Sequence, residues 1–321
     1  MTKKILICGV GSIGERHVRN LLTLGYENLI LYRTKNLSFR TIKQEFPLFT
    51  SLSEALEEKP DVAFICNPTH LHLETAITCA KSGCHLFIEK PLTHDLSQVK
   101  TLNTVLEMQN KQAMVGYMMR FHPCLKKMQE WISSGKIGKI VYARTQWGEY
   151  LPDWHPWEDY RQSYAANKNI GGGPALTLSH EIDMMLWLFG KVRNVKGLMN
   201  HNSSLEIDAE HAVDLLIQFE NGITANIHLD YIQKPPARNT EIIGDQGKIY
   251  FDYYQKEISA IYSLEGQEKE VYKAPEDFDR NQLFIDELKY FFECLQKREP
   301  FSSNVNNAVE VVKCALHGIQ E

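Results

Sequence analysis

Apolar and polar positions follow two different rhythms along this chain. Over the first 120 residues, short and nearly unbroken apolar runs take turns with stretches of helical period. Residues 4–8, 28–32, 61–66, 85–88 and 113–116 read as strands, with 49–50 as a shorter one. Residues 15–24 place Val18, Leu21 and Leu22 at helical spacing and stop at Gly25. Residues 37–46, 51–58 (with Ser53 as N-cap), 70–82 before Gly83, and 96–109 are the other predicted helices. Apolar strands alternating with helices predict a parallel sheet covered on both faces, and right-handed crossovers make it doubly wound.

The rhythm changes after residue 120. Residues 125–133 and 176–189 read as helices, and residues 150–173, aromatic, polar and glycine-rich, as a long loop. Strand-like segments then follow one another at 140–148, 192–200, 210–220, 223–231, 239–244, 247–254 and 257–262. Asn221-Gly222 is a strong hairpin signal, and Gln246-Gly247 suggests another turn. Helices at 280–296 and 306–317 close the chain. The expected organisation is a first domain over 1–120 and an α+β domain over 121–321, the final helices being free to pack back on the first domain.

At 321 residues, two domains suit the usual domain size. A 43% hydrophobic content supplies a sizeable core, and a net charge of −5 argues against a nucleic-acid partner. No apolar run reaches the length of a membrane span, and residues 5–8 are too short for a signal-peptide core. The seven cysteines are scattered and include no CxxC, so the expectation is a reduced, cytoplasmic protein with no metal site.

The sharpest chemical signal is Gly9-Val10-Gly11-Ser12-Ile13-Gly14, between the first strand and the first helix. In that context Gly9 allows the tight turn, Gly11 lets backbone approach a pyrophosphate, and Gly14 allows helix and strand to touch; the helix N-terminus supplies amides. Without the context it is a structural glycine turn. An acidic residue at the end of the second strand would bind the ribose 2′-hydroxyl of NAD; the chain has Tyr32-Arg33-Thr34-Lys35 instead. Arg33 can pair with a 2′-phosphate and Thr34 can donate to it, so NADP(H) is favoured, with NAD(H) as the alternative. The bland reading makes Arg33 and Lys35 solvated charges. Asn67-Pro68-Thr69-His70-Leu71-His72 follows the 61–66 strand at the carboxyl edge where ligands bind; either Asn67 and His72 reach the cofactor's ribose or phosphates, or Thr69 caps a helix and the histidines are exposed. Glu89-Lys90-Pro91 lies at the same edge, where a lysine can stabilise developing alkoxide charge; elsewhere such a triplet is usually a surface turn.

Together with Gly116-Tyr117-Met118-Met119-Arg120-Phe121-His122-Pro123, and with Gly171-Gly172-Gly173 leading to His180-Glu181-Ile182-Asp183, these motifs make the chain resemble the Gfo/Idh/MocA oxidoreductases over essentially its whole length. The resemblance implies an N-terminal Rossmann domain plus a C-terminal α+β domain with a large open, mostly antiparallel sheet often used for oligomerisation, hence a homodimer or homotetramer. It implies hydride transfer between nicotinamide and a ring carbon of a sugar, cyclitol or nucleotide-sugar, with a weak pointer to bacterial surface-sugar metabolism. Lys90 matches the family's active-site lysine, His180 its acid/base histidine, and Arg120 a residue near substrate or cofactor. Gly9, Gly11, Ser12, Ile13, Gly14, Arg33, Thr34, Asn67, Pro68, His72, Glu89 and Lys90 are the candidate cofactor contacts. Arg120, Trp157, Arg161 and His180 are the candidate substrate contacts, the aromatic loop being rich in groups that bind sugars; it could equally pack on its own domain or a neighbouring subunit.

One departure matters. Many members place an aspartate four residues before the histidine; here the position is Leu176. Asp183, one helical turn from His180, could orient the ring instead, or pair with a basic residue elsewhere. The resemblance also leaves open a retained-cofactor enzyme of glycosidase or epimerase type, and the departure keeps open a non-catalytic, dinucleotide-sensing regulator. A metalloprotease HExxH reading fails, because position 184 is Met184.

Overall fold

The computed structural model describes residues 3–34, 39–262 and 268–319, and the chain divides into two compact units. The first is Met1–Met118 with Arg280–Val309; the second is Met119–Asp279 with Glu310–Glu321.

The strands of the first unit are β1 (Ile5–Cys8), β2 (Leu29–Tyr32), β3 (Leu48–Phe49), β4 (Val62–Ile65), β5 (His85–Glu89) and β6 (Ala113–Gly116). They form one parallel sheet in the order β3-β2-β1-β4-β5-β6, with Ile5 beside both Leu29 and Val62. Every residue of β1 and β4 is buried, as a sheet covered on both faces requires. Helices α1 (Ser12–Thr23), α2 (Leu52–Glu57), α3 (His72–Lys81) and α4 (Val99–Met108) connect the strands. The core centres on stacked Phe64 and Phe87, with Phe291 set edge-on against both. The strand order reverses between β1 and β4, which puts the ligand-binding crevice of such a sheet at their carboxyl ends.

The second unit contains α5 (Pro123–Ser133), β7 (Ile140–Gly148), α6 (Pro174–Thr177) and α7 (His180–Phe189). Then come β8 (Val192–Asn200), β9 (Ala212–Phe219), β10 (Thr224–Asp230), β11 (Ala237–Gly244), β12 (Gly247–Asp252), β13 (Glu257–Tyr262) and β14 (Glu268–Lys273). Helix α8 (Arg280–Lys297) belongs to the first unit, and the boundary between units falls within α9 (Val305–Gly318). The eight strands lie in the order β14-β13-β12-β11-β7-β10-β9-β8, antiparallel except for the parallel pair β7 and β10. Strict alternation gives one buried face, with Val213, Leu215, Ile217, Ile227 and Leu229. On the other face Leu216, Arg144 and Tyr250 lie exposed. Gly222, at φ 89°, closes the expected β9–β10 hairpin.

Several expectations are corrected. Residues 37 and 38 lie outside the described residues, and 39–46 form no helix. The cause is a carboxylate: Glu15 of α1 accepts the backbone N–H groups of Arg40 and Thr41, each at 2.7 Å, which takes from a helix the amides it would use. The N-cap of α2 is Ser51, not Ser53, and the two hydroxyls bond each other at 2.7 Å. The stretch 176–189 is not one helix: it breaks at Leu178–Ser179, so that His180 opens α7. Much of the long loop winds into 3-10 turns, at Leu151–Asp153, Tyr160–Gln162, Tyr164–Ala166 and Lys168–Ile170. Strand β14, polar and outermost in its sheet, carries too weak a pattern to be expected. Among the described residues no helix is long and apolar enough to cross a membrane.

Candidate active site

The turn after β1 shows which glycines the fold itself demands. A Cβ on Gly9, at φ 92°, would lie 2.5 Å from the Asn67 nitrogen, and one on Gly14 would lie 2.0 Å from the Gly9 carbonyl oxygen. A Cβ on Gly11 would meet nothing within 4 Å. The first two glycines are therefore explained by packing of β1, α1 and the end of β4, while the third faces open space. Gly11 is also the N-cap of α1 and offers no side-chain cap, which leaves the first-turn amides, Ser12 and Ile13 among them, for an outside acceptor.

At the end of β4, Asn67 donates from its amide to Thr75 Oγ1 at 2.8 Å, while its Oδ1 is buried without a hydrogen-bond partner among the described residues. An open cradle over Gly11 and an orphaned acceptor beside it fit a dinucleotide bearing phosphate and hydroxyl groups. Pro68 is exposed. His72 is buried, with Nδ1 2.9 Å from the Pro91 carbonyl oxygen and Nε2 2.8 Å from that of Asn67. Burial pushes its pKa down, against both carbonyls and the charge of Glu89. Its ring is thus committed to the chain's own backbone, a role the sequence did not announce.

Glu89 ends β5 and is buried; His17 of α1 donates from Nε2 to its Oε1 at 2.6 Å. Lys90 follows, half-buried. At the end of β2, the Arg33 guanidinium lies 4.3 Å over the Phe39 ring and Thr34 is exposed, while Lys35 is outside the described residues.

In the second unit His180 is 4% exposed and stands at the N-terminus of α7, its ring 6.2 Å from that of Trp147 at 30°. The two acids after it each take a buried arginine. Arg120 donates to Asp183 through Nε at 2.8 Å and Nη2 at 2.6 Å. Arg238 donates through Nε to Glu181 at 2.6 Å and lies 3.9 Å over the Trp147 ring. Burial pushes the Asp183 carboxyl above its usual range in spite of Arg120. The structure shows Asp183 paired with a basic residue, both of its oxygens accepting from the forked Arg120 guanidinium. Arg120 in turn acts on the helix that carries His180. Two residues on, His122 accepts from Cys124 N at 3.2 Å and caps α5; burial, with Arg238 and Lys256, lowers its pKa to about 3.

Leu176, in place of the expected aspartate, is buried in α6. Beneath that helix Glu210 accepts from Ala175 N at 3.1 Å, and burial raises its pKa to about 7. Trp157 is 70% exposed and donates to Glu158 at 3.1 Å. Arg161 is 51% exposed and is held by Asp159 and Glu206, both at 2.8 Å, over a hollow of about 390 Å³. Both loop residues are thus engaged with acids on the surface while His180 is buried. Trp147, Arg238 and His17 were not anticipated. Trp147 carried one signal, an inward aromatic on an alternating strand; the other two carried none.

The strand order and the glycine turn of the first unit define a Rossmann domain. Residues 3–117 match the profile of the "Oxidoreductase family, NAD-binding Rossmann fold", and residues 125–250 match the "GFO/IDH/MocA C-terminal domain". The chain belongs to the Gfo/Idh/MocA oxidoreductase family. It is 25% identical to a myo-inositol 2-dehydrogenase of Thermotoga maritima over 92% of this chain and 89% of that protein. It is 27% identical to a levoglucosan dehydrogenase of Pseudarthrobacter phenanthrenivorans over 65% of this chain, a match that takes in 60% of that protein's length. A third relative, 24% identical over 71% of this chain and 61% of its own length, is a 2,7-anhydro-N-acetylneuraminate hydratase of Mediterraneibacter gnavus. Among solved structures, a levoglucosan dehydrogenase in complex with NADH and levoglucosan shares the fold at a TM-score of 0.85, with 18% identity over 98% of this chain and 95% of that one.

Proposed function

We propose that this protein is a nicotinamide-dependent dehydrogenase of a sugar, cyclitol or nucleotide-sugar. The observation that carries the reading is the open cradle over Gly11 at the switch point of the sheet, in the same unit as Lys90 at the end of β5. The relatives named for inositol and levoglucosan support the substrate class. Bound nicotinamide supplies the hydride chemistry. In this reading the amides from Gly11 to Ile13 hold the pyrophosphate, Asn67 and Pro68 border the ribose, and Glu89 and Lys90 close the nicotinamide end. Lys90 donates to the substrate oxygen and stabilises it as its proton leaves. His180 accepts that proton in the oxidising direction and returns it in reduction. The ring carbon loses hydride and its hydroxyl loses a proton, leaving a carbonyl. Arg120 supports α7 through Asp183, and the loop bearing Trp157 and Arg161 supplies the outer contacts to the sugar.

Arg33 over Phe39, with no acid at the end of β2, favours NADP(H) over NAD(H). The open face of the eight-stranded sheet is the surface through which we expect a dimer or tetramer to form. Seven buried thiols suit a reducing, cytoplasmic setting.

Fluorescence titration with NADPH and with NADH tests the cofactor. Selective NADPH binding, lost in Arg33→Ser, is expected; equal or better NADH binding overturns the Arg33 reading while leaving the dehydrogenase reading intact. A sugar and cyclitol screen with the preferred cofactor follows. Lys90→Met and His180→Asn should each lower turnover by about 10²–10⁴-fold with cofactor binding kept; full turnover in both variants refutes the assignment. The hydratase relative supports a second reading, in which substrate is transformed with no net change in cofactor. Product formed at constant NAD(P)H absorbance would select it.

A further inference from the structure

The residue on each side of Lys90 meets a buried histidine from a different helix. On one side, Nε2 of His17 in α1 donates to the Glu89 carboxylate at 2.6 Å. On the other, Nδ1 of His72 at the start of α3 lies 2.9 Å from the Pro91 carbonyl oxygen, and the opposite ring nitrogen 2.8 Å from the Asn67 carbonyl oxygen. One imidazole thereby lies between the loop after β5 and the loop after β4.

Packing alone does not call for a histidine at position 17. The ring sits among Phe64, Phe87 and Phe284, with centroids 5.3, 5.1 and 6.2 Å away, where an apolar side chain would fill the space. Its Nδ1 is buried with no hydrogen-bond partner among the described residues. Burying a polar atom unpaired costs stability, so what the imidazole adds is the single short, charge-assisted bond to Glu89. His72 likewise sets its ring nitrogens against backbone oxygens of the two motif loops, and the one N–H of its neutral ring bonds one of them. The function proposed above assigns neither residue a part in placing Lys90.

We propose that His17 and His72 are positioning residues that hold the Glu89-Lys90-Pro91 segment from both sides, one at the Glu89 carboxylate and one at the Pro91 carbonyl, and so fix where the Lys90 ammonium is presented. The proposal rests on the reading of Lys90 as the group that acts on the substrate oxygen. A reacting group displaced by about 1 Å costs on the order of 100-fold in rate, which sets the scale of what such a clamp can protect.

The first test needs no substrate. Lysines of the full-length protein are dimethylated with ¹³C-formaldehyde, and the Lys90 signal is identified as the one missing in Lys90→Met. His17→Leu and His72→Leu should each move that signal towards the position of solvent-exposed lysines. His17→Gln, whose amide nitrogen reaches about as far as Nε2, should restore it. A Lys90 signal unchanged in both leucine variants overturns the proposal. Should His17→Leu fail to fold, His17→Asn serves, being polar but too short to reach Glu89.

The second test is turnover of myo-inositol or levoglucosan, whichever the wild type oxidises. His17→Leu should lower kcat by about 10- to 100-fold with KM within about threefold, and His17→Gln should recover most of the loss. In the Lys90→Met background the same substitution should cost almost nothing, because the two act through one group. A full second loss there means that His17 does not act through Lys90, and overturns the clamp. The failures separate cleanly. Undiminished turnover in Lys90→Met refutes the role of Lys90, whereas an inactive Lys90→Met beside a fully active His17→Leu refutes the clamp alone.

Discussion

The two units hold their candidate residues by different means. At the edge of the first sheet, placement comes from close backbone contacts, such as Gly9 against Asn67 and Gly14 against Gly9, and from histidines that grip neighbouring loops. Along α7 of the second unit, placement comes from two buried ion pairs, Arg120 with Asp183 and Arg238 with Glu181, whose partners lie 63 and 57 residues apart in the chain. Glycine packing tolerates no added atom but leaves no charge stranded when it fails. A buried ion pair tolerates changes of shape but strands a charge when one partner goes.

Breaking an ion pair should give the largest effect. Arg120→Met leaves the Asp183 carboxylate buried and uncompensated, and should lower the unfolding free energy in urea by about 3–5 kcal/mol. Removing both charges, in Arg120→Met with Asp183→Leu, should return most of that. If the double variant is as unstable as the single, packing of the arginine stem rather than the stranded charge is what the second unit depends on.

The next effect is a pH dependence that also belongs to the second unit. Glu210 has a folded pKa raised to about 7 from an ordinary 4.5. Between those values the unfolded chain releases its proton while the folded chain keeps it, so stability falls as pH rises from about 4.5 to 7. At about 1.4 kcal/mol per unit, Glu210 should cost about 3 kcal/mol across that window. Unfolding of wild type and Glu210→Gln at both pH values measures it, and the variant should lack this slope. Equal slopes in the two proteins would show that Glu210 does not hold its proton there.

The smallest effect sharpens the reading of the first unit. Gly14→Ala should destabilise by about 1–3 kcal/mol, because its Cβ would overlap the backbone of Gly9. Gly11→Ala should leave the melting temperature unchanged yet weaken NADPH binding about tenfold, or roughly 1.4 kcal/mol. Equal melting losses in the two variants would show that Gly11 too is fixed by the fold and not by the cofactor.

The sequence by itself determined the alternation of apolar runs and helices, hence the parallel sheet, and it marked the turn after β1, the hairpin at Asn221-Gly222 and the motifs around Lys90 and His180. These are local signals, since a strand, its turn and the residue that follows lie within a few positions of one another. Tertiary structure decided the rest. It took the amides of Arg40 and Thr41 for Glu15 and so left 39–46 without a helix. It gave Asp183 the forked guanidinium of Arg120, and set Trp147 and Arg238 beside the catalytic candidate. It also joined His17 to Glu89 across 72 positions. The reason is the range of the forces. Backbone propensity and side-chain period act over a turn or a strand. A buried charge or polar group takes the best partner the folded chain brings within about 3 Å, and sequence spacing says nothing of who that will be.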